Sequence, residues 1–230
     1  MSSNTWGRTV RVGTGALVAG ALILFLSACA EVRESPLGPR YHATNVFGLD
    51  NSGVTKLRRV AFLPLAATES GTDLQSGADT LEPVLLAELQ KKNRFEIVPV
   101  SRVEMTRWTG KPSLRGDEVL PEGFPDRVTK ETGCDGILFS TLTVFHPYTP
   151  TAIGWRLKLV AVQDKSIVWA ADQVFDAAST EVANSARDYQ RKQPELRPGL
   201  REGRKILLSP TAFGHYSAAA LLDTLPPYPR

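Results

Sequence analysis

Residues 137–145 have the sequence Ile-Leu-Phe-Ser-Thr-Leu-Thr-Val-Phe. The first three residues are apolar, and apolar and polar residues then alternate, which predicts a strand that begins in a core and leaves it towards its end. No other stretch of the chain has a stronger strand character. We therefore expect this strand at the centre of a sheet.

Two further apolar runs follow this strand. Residues 153–162 alternate apolar side chains with Arg156 and Lys158, so one face of that strand should be exposed to water. A tight connection at 163–166 leads into the next run at 167–175. The two runs are predicted to form an antiparallel hairpin.

The remaining elements alternate between strands and helices. In order they are a buried strand at 60–65, a helix that begins at Asp79 or Thr80, a strand at 95–100, a loop at 108–121, a short helix from Pro125 to Gly133, a helix at 180–192, and a last helix capped by Ser209. This order predicts an α/β fold with a mixed β-sheet of about five strands and helices packed on it.

Three segments carry a resemblance to known proteins. They are Arg59-Val60-Ala61-Phe62-Leu63-Pro64, residues 133–139 (Gly-Cys-Asp-Gly-Ile-Leu-Phe), and residues 157–164 leading to Val168-Trp169. In these segments the chain resembles envelope lipoproteins of the curli-secretion (CsgG-like) group, with relatives in Pel polysaccharide export and in the activation of penicillin-binding proteins. The amino-terminal domain of TolB has a related fold of the anticodon-binding type. The resemblance covers about Val60–Phe175 and implies a structural module, not a catalytic one.

A pore of the curli type would need additional membrane hairpins. Each membrane-spanning strand takes about 9–11 alternating residues, and the sequence has no spare pair of such segments. We therefore expect a periplasmic module held at a membrane, and not a channel.

The amino terminus resembles a bacterial lipoprotein signal. Arg8 and Arg11 precede an apolar run that closes on Leu26-Ser27-Ala28-Cys29, which resembles a lipobox. In this interpretation Leu26, Ser27 and Ala28 are recognised by the signal peptidase, and the Cys29 thiol carries lipid.

Two alternatives to lipidation remain open. Ordinary signal peptidase could cut at Ala28-Cys29-Ala30 and release a soluble periplasmic product. The segment could also remain as an uncleaved anchor, although Val12–Ala28 falls short of the roughly 20 apolar residues of a spanning helix.

The lipobox also suggests a domain organisation and a location. We predict a signal peptide at 1–28, the lipidated cysteine and a tether at 29–56, a single α/β domain at 57–225, and an extended tail at 226–230. Alternatively, part of the tether docks on the domain as an edge segment through Tyr41, Val46, Phe47 and Leu49. Because Ala30 is not Asp, the sorting rules of such lipoproteins imply the periplasmic face of the outer membrane.

Composition excludes some classes of partner. The chain has 27 Lys and Arg against 24 Asp and Glu, and because Arg8 and Arg11 leave with the signal, the mature protein is nearly neutral. A nucleic-acid partner, which requires a strongly basic face, is therefore not expected. With Cys29 committed to lipid, Cys134 has no intrachain disulfide partner, and we predict that it is buried.

No catalytic residue, metal site or cofactor is predicted. The three histidines, His42, His146 and His215, are isolated from one another in the sequence. A Cys134–His146 dyad is excluded, because the strand between them spans about 40 Å at ~3.3 Å per residue.

Two features could contact partners. A basic segment runs from Arg191 to Lys205, and Arg197, Arg201, Arg204 and Lys205 are its candidates for contact with an anionic partner; the alternative is a solvated loop. Trp155 and the edge of the hairpin are candidates for self-association, unless Trp155 belongs to the core.

These observations predict a non-enzymatic, membrane-anchored lipoprotein that acts as an assembly, recruitment or secretion accessory in the cell envelope. Its expected partners are the lipid bilayer through acylated Cys29, an unidentified envelope protein, and further copies of itself. The alternative function is activation of a peptidoglycan synthase, and a periplasmic hydrolase is less favoured.

Overall fold

The centre of the fold is a mixed sheet of seven strands. The structure is a computed structural model that describes residues 38–48, 54–69, 72–193 and 205–226. The strands are β1 (Val46–Phe47), β2 (Arg59–Phe62), β3 (Ala66–Ala67), β4 (Glu96–Pro99), β5 (Gly136–His146), β6 (Ala152–Ala161) and β7 (Ile167–Asp176). They lie in the order β1-β7-β6-β5-β2-β4, and β3 pairs with β5 off this path.

The sheet has a parallel part and an antiparallel part. β2 runs parallel to both β4 and β5, whereas β5, β6, β7 and β1 pair antiparallel in succession. The five longer strands and the β6–β7 hairpin confirm the predictions from the sequence. β1 and β3 have two residues each, too few to produce a recognisable alternation.

β5 behaves as its sequence predicts. Residues 136–142 are buried, and the side chains from 143 onwards become partly exposed as the strand leaves the core. Because β5 lies between β2 and β6, it joins the parallel part of the sheet to the antiparallel part.

Helices cover the sheet on both faces. They are α1 (Thr72–Lys92), α2 (Arg102–Thr109), α3 (Phe124–Thr132), α4 (Thr180–Lys192), α5 (Lys205–Leu208) and α6 (Pro210–Leu222). α1, α4 and α6 pack against one face of the sheet and form the larger core with Phe62, Leu138 and Trp155. α2 and α3 pack against the other face in a smaller core that contains Ile137 and buried Cys134. In the described part of the chain, no helix is long and apolar enough to span a membrane.

The prediction for the start of α1 was wrong. The helix begins at Thr72, so Pro83 lies inside it and not in its first turn. Leu74 and Ala78 extend the apolar stripe of the helix towards its amino terminus and pack against the larger core. This burial outweighs the one helical hydrogen bond that an internal proline removes.

α2 was not predicted at all. Its first turn has a capping box: Ser101 Oγ accepts the Glu104 backbone N–H at 3.2 Å, and Glu104 Oε2 accepts the Ser101 backbone N–H at 2.8 Å. Gly110 then ends the helix with a φ of 77°. The signal in the sequence was Ser-x-x-Glu directly after a strand.

Trp155 belongs to the core and is not a surface for self-association. Its side chain is fully buried, and its indole N–H donates to Ser217 Oγ on α6 at 2.9 Å. An alternating strand cannot by itself distinguish a face covered by helices from a face covered by another copy. Because α1, α4 and α6 pack on the side of β6 that carries Trp155, this face of the strand belongs to the core.

Candidate functional site

The described part of the predicted tether docks on the domain. The Tyr41 backbone N–H donates to Ser185 Oγ on α4 at 2.8 Å, and Arg40 pairs with Asp188 at 3.2 Å. The Tyr41 ring lies 5.2 Å from the Phe175 ring, and further on Val46 pairs with Ala171 in β7. The alternative of an edge segment therefore describes Tyr41, Val46 and Phe47, whereas Leu49 lies outside the described residues.

A cleft of about 560 Å³ opens where this segment meets α1, α4 and α6. Three aromatic side chains line it, so we call it the tyrosine cleft. The lining residues include Tyr41, Tyr189, Tyr216, His42, Glu88, Lys91, Lys92, Ser185, Asp188, Lys192, Gln193 and Asp223. Two of these residues are carboxylates that are almost completely buried.

Glu88 is the first buried carboxylate, with 2% of its surface exposed. Its Oε1 accepts from Lys91 Nζ at 2.7 Å and from Tyr189 Oη at 3.2 Å, and it lies 2.7 Å from His215 Nδ1. Burial acts to raise the pKa of Glu88, but the contacts with His215 and Lys91 outweigh it and hold the pKa below its ordinary value. The carboxylate is therefore ionised at neutral pH.

Asp188 is the second buried carboxylate, and three cations surround it. Arg191 lies 2.9 Å, Lys192 3.0 Å and Arg40 3.2 Å from its oxygens. Burial opposes ionisation, but the cations lower the pKa of Asp188 below its ordinary value. Because one carboxylate faces three cations, positive charge is left on the outer side of this cluster.

Tyr216 forms part of the wall of the tyrosine cleft. Its hydroxyl is buried without a hydrogen bond of good geometry, although Ser185 lies close enough to lower the pKa somewhat. Burial dominates and raises the pKa of Tyr216 to about 12. The hydroxyl therefore stays protonated and can donate a hydrogen bond.

A second, larger cleft of about 1010 Å³ lies beside β3. The start of α1 and the loop between α2 and α3 line it. Many of the charges around it pair with one another: Arg102 contacts Glu82 at 2.7 Å and Asp79 at 3.0 Å, and Lys111 contacts Glu118 at 2.6 Å. Because Glu82 also accepts the Leu65 backbone N–H at 2.9 Å, this network links α1 and α2 to the segment between β2 and β3.

Most of the predicted site residues lie outside the described residues. These are Leu26, Ser27, Ala28 and Cys29 of the lipobox, and Arg197, Arg201 and Arg204 of the basic segment. Lys205 is the first residue of α5. The basic segment begins at Arg191, and its third residue, Gln193, lines the tyrosine cleft.

The structure places two of the three histidines at the tyrosine cleft, because Glu88, which also lines it, is the partner of His215. His42 lines the tyrosine cleft, His215 pairs with Glu88, and His146 ends β5. Among the described residues, no group of three His, Cys, Asp or Glu side chains is placed to hold a metal ion.

The tyrosine cleft was not predicted from the sequence, although the sequence contains one indication of it. Glu88 stands within the apolar stripe of α1, beside buried Leu85 and Leu89. An acidic residue at a core position of an amphipathic helix requires buried partners. Those partners come from α6, from α4 and from α1 itself, and contacts between distant helices cannot be located from spacing along the chain.

Comparison with known proteins gives similarity only to solved structures. No model of a protein family matches the chain, and no curated protein matches it. The PelC dodecamer from Paraburkholderia phytofirmans has 11% identity and a TM-score of 0.41, over 74% of this chain and 89% of PelC. LpoB from E. coli has 15% identity and a TM-score of 0.37, over 76% of this chain and 85% of LpoB.

A third similar structure is the lipoprotein GNA1162 from Neisseria meningitidis. It has 16% identity and a TM-score of 0.37, over 51% of this chain and 79% of that one. At these identities the similarity concerns the general arrangement of an α/β fold.

Proposed function

We propose that the protein is a non-enzymatic lipoprotein of the bacterial cell envelope, anchored through acylated Cys29 at the periplasmic face of the outer membrane. Its α/β domain acts there as an assembly, recruitment or secretion accessory. The observation that carries the proposal is the sequence Leu26-Ser27-Ala28-Cys29 at the end of an apolar run that follows Arg8 and Arg11.

The docked segment limits how far the domain can move from its anchor. Residues 38–48 contact α4 and β7, so the chain between Cys29 and Gly38 is the connection that remains. Even fully extended, nine residues span at most about 32 Å. This short reach favours an accessory that works close to its own membrane over an activator that crosses the wall to a peptidoglycan synthase.

Replacement of the acylated cysteine tests the anchoring. Labelling with a palmitate analogue should mark the wild-type protein, and the protein should float with membranes. Cys29→Ala should lose both the label and flotation, whereas Cys134→Ser, which alters the buried cysteine, should keep both. A Cys29→Ala protein that is still labelled or still floats would overturn the proposal.

The accessory role has a separate test. Cross-linking of the intact lipoprotein in cells, followed by purification and native mass measurement, should give a discrete multimer or a complex with an envelope protein. The basic segment is tested by charge reversal of Arg197, Arg201 and Arg204, which should reduce the yield of that complex. A monomer that turns over an envelope substrate would show that the protein is instead a hydrolase.

A further inference from the structure

We propose that the surface around the tyrosine cleft lies against the bilayer and contacts the headgroups of anionic phospholipids. We call this surface the anchor face and define it by three exposed cations, Arg40, Lys91 and Lys192. The inference rests on the proposed anchoring through Cys29 and adds which side of the domain faces the membrane.

The first argument is the point at which the chain reaches the domain. Asn184 Nδ2 donates to the Pro39 carbonyl at 3.5 Å, and Tyr41 is held by Ser185, so the chain meets the domain on α4. A globular unit of this size has a diameter of about 40 Å. Because the connection from Cys29 spans at most about 32 Å, the side of the domain opposite α4 cannot reach the bilayer.

The second argument is the sign of the charge on this face. Lys192, Lys91 and Arg40 have 65%, 55% and 50% of their side-chain surface exposed, whereas their partners Asp188 and Glu88 are 12% and 3% exposed. The carboxylates are therefore inside and the cations outside. Arg191 and Lys92 add positive charge at the same cleft, and exposed Asp223 offsets the charge of Lys92.

An anionic bilayer is complementary to this arrangement. Each Lys or Arg near such a surface is attracted by about 1 kcal/mol, an effect that fades within a Debye length. Several cations on the face that the anchor already holds near the bilayer therefore act together. They convert a tethered domain, which could rotate, into one with a preferred orientation.

The orientation can be read with single cysteine labels on the full lipoprotein, because Cys29 is acylated in the proposal and Cys134 is buried. Gln193→Cys places a label at the tyrosine cleft. Val119→Cys places one on the exposed loop after α2, which packs on the other face of the sheet. In vesicles of phosphatidylglycerol and phosphatidylcholine that carry a headgroup quencher, the label at 193 should be quenched several-fold more than the label at 119.

Charge variants test the second argument. Lys91→Gln with Lys192→Gln leaves His215 on Glu88, and Arg40 and Arg191 on Asp188. This pair should lower the several-fold quenching preference for position 193 towards the value measured in pure phosphatidylcholine, because it removes two attractions of about 1 kcal/mol each. Arg107→Gln with Lys130→Gln, on α2 and α3, removes the same charge from the other face and should leave the preference unchanged.

The failure of this inference is distinguishable from the failure of the anchoring. Protein that does not float with the vesicles lacks the lipid anchor, and the proposed function is then wrong. Floating protein with equal quenching at both positions, or stronger quenching at 119, would overturn the anchor face alone. A preference that is unchanged in pure phosphatidylcholine would overturn the role of anionic headgroups.

Discussion

His215 Nδ1 on α6 lies 2.7 Å from Glu88 Oε1 on α1, and Glu88 is almost completely buried. The contact joins two helices that are distant in sequence and that share the larger core. A buried carboxylate is stable only with such partners. The packing of α1 on α6 therefore depends on the ionisation of Glu88.

We therefore expect the stability of the domain to depend on Glu88 in acid. The pKa of Glu88 is lowered in the folded protein, so its contribution is present above the pKa of the unfolded chain and is lost as the pH falls through the folded pKa. Glu88→Gln should lower the free energy of unfolding by about 1–3 kcal/mol at neutral pH. It should also flatten the decrease in Tm between about pH 5 and pH 3.

Thermal unfolding followed by circular dichroism over this pH range measures the effect. Glu131→Gln on the exposed surface of α3 is the matched control and should follow the wild type. A Glu88→Gln protein with the stability and the pH profile of the wild type would show that the buried carboxylate contributes nothing.

The second expectation concerns Trp155. Its ring is fully buried between the sheet and α6, so Trp155→Ala should cost about 3–5 kcal/mol. Ser217→Ala removes the acceptor of the indole N–H, together with the hydrogen bond that Ser217 Oγ donates to the Gly214 carbonyl at 3.1 Å, and should cost about 1–3 kcal/mol. Urea unfolding measures both, with Tyr148→Ala, 85% exposed, as a control that should stay within about 0.5 kcal/mol. A Trp155→Ala loss as small as that of the control would contradict the core position.

Trp155 and Glu88 also show what the sequence could predict and what it could not. The five longer strands were predicted because each has an apolar run or an alternation with a period of two, which depends on neighbours in the chain. The partner of Trp155 depends on where α6 packs, and the partners of Glu88 depend on where α4 and α6 pack against α1. Local spacing along the chain encodes neither set of partners. The strands of the core were therefore predicted correctly, whereas the tyrosine cleft was not.

The third expectation concerns the capping box of α2. Ser101→Ala should lower the free energy of unfolding by about 1 kcal/mol, because the Glu104 backbone N–H at the start of the helix loses its acceptor, Ser101 Oγ. Hydrogen bonds from Ser101 hold the pKa of Glu104 below its ordinary value, so this pKa should rise in the variant. Carboxyl titration by NMR measures the shift, and Ser101→Thr should restore most of both effects. An unchanged Glu104 pKa in Ser101→Ala would contradict the hydrogen bonds.

The last expectation compares two glycines that end helices. Gly110 has a φ of 77° with open space around it, and Gly133 has a φ of 68° with Arg59 Nη1 2.7 Å from where a Cβ would stand. Alanine at either position forces a left-handed backbone and should cost about 1–2 kcal/mol. Gly133→Ala should cost more, because it also displaces Arg59, whose Nε pairs with Glu96 at 3.0 Å. In an Arg59→Ala background the two glycine substitutions should cost the same, and urea unfolding of this double-mutant cycle measures the difference. If the extra loss at Gly133 persists without Arg59, its cause is the backbone and not the crowded guanidinium.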